Sequence, residues 1–274
     1  MDNRMTIIGA GKQPPLSVRE FWRYRSLFFM LAWRNIVVRY KQTFLGVVWA
    51  LAQPLATMIA FSVVFGRIAG LGGVEGVPYP LVVFSGVLAW QFFSSIVSGG
   101  GDSLLANRRF LTKIYFPRVI LPLFGVLVKA VDLLLGAAVF FILYFLKCPQ
   151  CGSWRLLLLP LAFVPLVLCA AGLGMCIAAL SVRYRDLLNA VPFLLRIGLF
   201  VSPVGFVASA IPASWRAAAM FNPVYGMIGA IRWMCFGVPV EPVALAVSGG
   251  ESLALFLIGL AVFRAQEKDF ADYI

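Results

Sequence analysis

Apolar residues run along this chain in long blocks separated by short polar breaks. Phe44 to Phe65 and Tyr79 to Val97 contain no charge, and Val119 to Leu146 is longer and holds Lys129 and Asp132. Leu156 to Val182 is uncharged but carries Pro160 and Pro165, Leu187 to Ala208 contains Arg196 and is broken by Pro192 and Pro203, and Val243 to Phe263 is interrupted by Gly249, Gly250 and Glu251. A helix needs about 20 apolar residues to cross the hydrocarbon, so the pattern predicts six transmembrane helices in an all-α integral membrane protein. One membrane domain over 44–265, flanked by tails at 1–43 and 266–274, accounts for the chain.

Two stretches have a different period. Trp33, Ile36, Val37 and Tyr40 fall at i, i+3, i+4 and i+7, with Arg34, Asn35, Arg39 and Lys41 around the other side. This is the pattern of an amphipathic helix lying on the membrane surface, its arginines among lipid headgroups. Val224 to Phe236 is apolar but too short to cross. With AIPASWRAAAMFNP before it, this predicts two short re-entrant helices meeting at Asn222-Pro223, between spans five and six.

Composition and charge agree with a membrane protein. The chain has 274 residues, is 62% hydrophobic and only 12% charged, and its mean hydropathy is +0.94. The net charge of +12 does not point to nucleic acid, because the cations lie in short loops beside apolar runs. Counted by loop, 16 Lys and Arg fall on one side of the six spans and 5 on the other. Both termini are therefore expected in the cytoplasm. The first residues, MDNRMTIIGAGKQPP, lack the apolar core of a cleavable signal peptide.

Candidate chemistry is sparse. Histidine is absent, which excludes Ser-His-Asp and Cys-His nucleophiles and histidine metal sites. The outward loops hold only Glu75 and Glu241 as carboxylates, too few for a paired-carboxylate glycosidase. GAGK at residues 9 to 12 lacks the spacing of a phosphate loop, so the chain is not expected to hydrolyse ATP alone, and no metal or cofactor site is expected in it. Cys148 and Cys151 are read as incidental loop thiols or, if their loop faces an oxidising compartment, one disulfide. Lys129, Asp132, Arg196 and Glu251 lie inside spans, where ionisable groups pair or line a polar path. Lys129 and Asp132 share a helix face, and Arg196 and Glu251 are candidates to pair across spans five and six. Trp90, Phe92 and Phe93 form an aromatic cluster in span two that, with these four residues, makes up the candidate conduit set.

At this point RYKQTFLGVVWALAQPL (39–55) resembles the first-span signature of ABC type 2 membrane subunits that export bacterial polysaccharides. The stretch from 85 to 123, with its YFPR and ILP, is similar to that family's span two, connector and span three. VRYRDLLNAVPFLLRIGLFVSPVGF (182–206), NPVYGMIGAIRW (222–233) and the ending FRAQEKDFADYI continue the resemblance in the same order.

The resemblance implies a homodimer in the bacterial inner membrane, surrounded by lipid and bound to two copies of a separate ATPase that uses ATP and Mg. The dimer would export a lipid-linked polysaccharide such as O-antigen, capsule or teichoic acid. It also implies that the connector between spans two and three docks on the ATPase, which assigns Arg108, Arg109, Phe110, Lys113, Ile114 and Tyr115 to coupling. Residues 102–116 are expected to form its surface helix, ended by Phe116-Pro117. Six spans alone would also fit an exporter of a drug or small lipid. An ion-coupled carrier would want more carboxylates than Asp132 and Glu251, and an embedded glycosyl- or acyltransferase would want histidine or clustered Asp and Glu.

Overall fold

A computed structural model describes residues 22–41, 44–70, 74, 76–108, 116–267 and 270. Among them every regular element is a helix: α1 (Arg25–Lys41), α2 (Phe44–Phe61, prolonged by a π-helical turn, Ser62–Ile68), α3 (Tyr79–Ala106), α4 (Ile120–Lys147), α5 (Leu159–Ser181), α6 (Leu187–Val201), α7 (Ala213–Met220), α8 (Pro223–Phe236) and α9 (Pro242–Gln266). Five apolar helical stretches, Gly46–Ile68, Tyr79–Ala106, Ile120–Lys147, Trp154–Ser181 and Pro242–Gln266, are long enough to cross a membrane.

The fifth expected span is shorter than its apolar run. α6 has 15 residues and stops at Val201, which at about 1.5 Å per residue leaves it short of the roughly 30 Å hydrocarbon. Pro203 is the cause: proline disfavours helical geometry in the residue before it, and Ser202 accordingly adopts φ −78°, ψ 150°. The second span departs in the other direction. α3 continues through Gly99–Gly101 to Ala106 instead of yielding to a new surface helix at 102. The glycines do not end the helix because they are used for packing. A Cβ on Gly100 would lie 2.9 Å from the Gly174 Cα on α5, and one on Gly101 would lie 2.7 Å from Ile177.

α3 is the central element, contacted by α2, α4, α5, α6 and α8. It is apolar all round because it is buried nearly all round. At one end of the bundle Leu31 and Ala32 of α1, Leu104, Phe116, Ile120, Met175 and Phe263 form a second core. The Phe116-Pro117-Arg118 turn belongs to it. Ile120 N–H donates to the Pro117 carbonyl (3.0 Å), and Arg118 donates to the Glu267 carbonyl (2.8 Å) with its guanidinium over the Phe270 ring. The arginine of this turn therefore holds the chain that leaves α9.

At the opposite end, α8 inserts among α3, α5 and α9. Asn222 caps it by accepting from Val224 N–H (3.1 Å), and Gly237, at φ 75°, ends it in the left-handed conformation. Tyr144 donates to the Cys235 carbonyl (2.7 Å), and Gly226 N–H donates to Ser248 Oγ (3.0 Å). One cavity is lined by Val207, Ala208 and Ser209 before this pair of helices and by Val238 to Pro242 after it. The segment thus enters and leaves at the same end of the bundle, as a re-entrant element does.

Cys148 and Cys151 are disulfide-bonded, while Cys169, Cys176 and Cys235 are free. Their loop rests on Gly76 through Gln150 Nε2 (3.3 Å). Protein denatured in alkylating reagent without reductant should take up three labels, and all five cysteines should react once it is reduced. Five labels without reductant, read by intact mass, would contradict the bond.

Candidate functional site: a polar groove between apolar helices

Gln91, Ser94, Ser95 and Ser98 fall at i, i+3, i+4 and i+7, a single stripe on α3. Gln53 and Thr57, four apart on α2, face the same space. Two adjoining cavities, of about 250 and 280 Å³, share Gln53, Gln91, Ser94 and Ser98. Arg39, Lys129 and Asp132 close one of them. Arg196, Trp90, Pro192 and Leu199 close the other. The result is a groove of amides and hydroxyls within helices that are otherwise apolar.

Its charged end is built from α1 and α4. Arg39 Nη2 lies 3.0 Å and Lys129 Nζ 4.0 Å from Asp132 Oδ2, and the Tyr40 hydroxyl donates to Asp132 Oδ1. Burial, and then the bond to Asp132, push the Tyr40 phenol above its ordinary range, so it remains a protonated donor. Two cations share one carboxylate here, and Arg196 adds a third positive charge at the far side. Among the described residues Arg196 has no ion pair. An arginine without an ion pair, inside a membrane domain, favours a polar or anionic occupant.

The conduit candidates separate into three groups. Lys129, Asp132, Arg196, Trp90 and Phe92 line the groove. Trp90 is nevertheless largely core: it is 6% exposed, packs on Phe93 at 5.4 Å between centroids, and lies so close to Gly198 that a Cβ there would be 2.7 Å from the indole. Phe93 is buried and lines neither cavity, while Phe92 also packs edge-on against Phe163 of α5. Glu251 is not in the groove, and no ion pair joins it to Arg196. α9 is held by α5 and α8, whereas α6 is held by α3 and α5, so the two residues belong to different packing surfaces.

Leu31 and Ala32 are buried, with Leu27, Phe28 and Ile36 packed beside them, while Trp33 is 68% exposed and Arg34 is exposed. Arg39 and Tyr40 both reach Asp132, one through an ion pair and the other through a hydrogen bond. Of the coupling set, Arg108 is exposed at the end of α3. Arg109, Phe110, Lys113, Ile114 and Tyr115 lie outside the described residues.

Sequence reasoning did not single out Gln53, Gln91 or the three serines, although the spacing in QFFSSIVS carries the signal. It also treated Arg232 only as a loop cation. Arg232 is 3% exposed and donates to the carbonyls of Phe206 (2.7 Å), Val204 (2.8 Å) and Val82 (3.4 Å). Gly86 makes room for it, since a Cβ there would be 3.1 Å from Nη2. The guanidinium joins α8 to the turn after α6 and to the start of α3.

A multi-pass helical bundle with a polar groove between its helices has an architecture compatible with a transport subunit. The chain belongs to the ABC-2 type transporter family, whose match covers residues 26–236, from α1 to the end of α8. It is similar to the O-antigen export system permease protein RfbA of Myxococcus xanthus, 27% identical over 263 residues, with 94% of this chain and 98% of the relative covered. The protein of the same description from Klebsiella pneumoniae is 23% identical over 251 residues (90% and 95% covered), and the polysialic acid transport protein KpsM of Escherichia coli is 24% identical over 241 residues (86% and 91% covered).

Proposed function

We propose that this chain is the membrane subunit of an ATP-driven exporter that moves a lipid-linked polysaccharide of O-antigen type across the bacterial inner membrane. The observation that carries this reading is that proteins named for O-antigen export and for polysialic acid transport align with 86 to 94% of the chain. The groove agrees chemically: amides and hydroxyls suit sugar hydroxyls, and Arg196, which forms no ion pair among the described residues, suits a phosphate-bearing carrier. In this reading two copies of the chain complete the conduit, and each binds one copy of a separate ATPase that uses ATP and Mg. The bias of cations toward both tails supports cytoplasmic termini. The Cys148–Cys151 disulfide at the opposite end fits an oxidising compartment there.

Removal of the gene should abolish polymer at the cell surface while leaving it inside the cell, and the chain expressed together with its ATPase should restore it. Unchanged surface polymer would refute the reading. The connector, with Arg108, Arg109, Phe110, Lys113, Ile114 and Tyr115, is its proposed docking segment. Exposed ion pairs contribute at most about 1 kcal/mol each, whereas truncating a buried aromatic anchor costs about 2 kcal/mol or more. A Phe110, Ile114 and Tyr115 triple alanine variant should therefore lose ATPase co-purification at matched membrane levels, and Arg108→Ala should retain most of it. Wild-type co-purification of the triple variant would reduce the connector to a membrane anchor.

A further inference from the structure

A second cavity, of about 410 Å³, lies at the other end of the molecule, between α8, the turn at 203–209 and the segment 238–244. It shares no lining residue with the groove. Its volume falls within the roughly 300–1,000 Å³ of ligand pockets. Most of the wall is small or apolar: Pro203, Val207, Gly226, Gly229, Val240 and Pro242. Its polar groups are few and incompletely used.

Tyr225 is 4% exposed, and its hydroxyl has no hydrogen-bond partner; Arg232 lines the same cavity, and its Nε is likewise buried without one. Such groups carry a desolvation cost that is recovered only when something bonds to them. The Arg232 charge is met by three backbone carbonyls, and among the described residues no carboxylate pairs with it. Arg216 and Glu241 complete the charged lining, so the cavity holds two guanidiniums against one carboxylate. Its wants are therefore an anionic group, a partner for a phenol, and a body compact enough to sit among proline and valine side chains.

We propose that this cavity is a binding site for a carboxylate-bearing sugar unit, a hexuronate or its like, on the side of the molecule from which the re-entrant helices enter. The carboxylate takes the excess positive charge of Arg232 and Arg216, ring hydroxyls bond to the Tyr225 phenol, and the C–H faces of the sugar lie on Pro203, Val207 and Val240. The choice of a sugar as ligand rests on the export reading above; the anionic and hydroxyl character rests on the cavity itself.

The test uses the full-length chain in lipid nanodiscs, with sodium glucuronate and glucose as probes and saturation-transfer NMR on the ligand protons as readout. Glucuronate should receive saturation and glucose should not. Tyr225→Phe, which removes one neutral hydrogen bond, should weaken glucuronate binding by about 3- to 10-fold, and Arg216→Gln should weaken it without creating glucose binding. Equal transfer to both sugars, transfer to neither, or an unchanged affinity in Tyr225→Phe would each overturn the site. Arg232 is left intact because its loss would release the turn at 204–206. Absent glucuronate binding in a protein that still exports polymer would remove this site and leave the export reading standing. Specific binding in a protein whose gene is dispensable for surface polymer would do the reverse.

Discussion

Gly259→Leu should leave little folded protein in the membrane and sharply lower the melting midpoint of what is recovered. α5 and α9 form the most extensive helix pair among the described residues, and they meet through backbone. A Cβ on Gly259 would collide with the Gly172 carbonyl, 2.6 Å from its carbon, and one on Gly172 would lie 2.6 Å from the carbonyl carbon of Leu255. A flexible side chain could move aside, but a helix backbone cannot without separating the pair. Overpacking of a core costs about 1–3 kcal/mol and more where backbone must shift, and here the shift would propagate to α8, which packs on both helices. Gly250→Leu, on the same helix, is the control, because nothing lies within 4 Å of a Cβ built there. Tryptophan fluorescence during heating in detergent checks the pair, and coincident melting of Gly259→Leu with wild type would mean that this contact does not hold the bundle.

Asp132→Leu should be nearly as damaging, with a different signature. It leaves Lys129 and the Tyr40 hydroxyl without their shared acceptor and removes the Arg39 ion pair, cutting a side-chain tie between α1 and the membrane helices. Breaking a buried pair by removing one partner costs about 3–5 kcal/mol. Because Asp132 remains 20% exposed and Arg39 39%, the cost falls below that range, at about 1–3 kcal/mol. The α1 amides should exchange faster in hydrogen-exchange measurements, and export should fall in parallel. Adding Lys129→Leu to Asp132→Leu should recover part of the stability, since one orphaned charge is removed with its partner. Unaltered protection of α1 in Asp132→Leu would show that the cluster plays no part in holding the surface helix.

The apolar runs placed the membrane helices because the bilayer imposes a length on them whatever their neighbours. Pro203 could have warned that the fifth would stop early, and the rule for residues before proline is local enough to apply without a structure. The second span departs in the other direction: glycine is a local helix breaker, but Gly100 and Gly101 against Gly174 and Ile177 let α3 pass close to α5.

The site was less legible than the fold. Lys129 and Asp132 could be paired from their spacing on one helix. That Arg39 and Tyr40 join them depends on how α1 docks on α4, across 92 residues of sequence in the case of Tyr40. Trp90 stands in the candidate conduit set because aromatic residues serve both as lining and as core, and only its contact with Gly198 and Phe93 shows how much of it is core. Arg232 looked like any loop cation until three carbonyls closed around it.

By itself the sequence determined the class of the molecule, the order of its apolar helices and the re-entrant pair. All of these follow from local length, periodicity and residue inventory. Tertiary structure alone decided which polar residues face one another: that Gln53, Gln91 and the serines make a groove, that Asp132 holds α1, that Glu251 and Arg196 stay apart, and that Arg232 and Tyr225 share a cavity. The physical reason is that a hydrogen bond or ion pair acts over a few ångströms in space, and helix packing, which brings such groups together, is set by small residues such as Gly172 and Gly259 far along the chain from the groups they position.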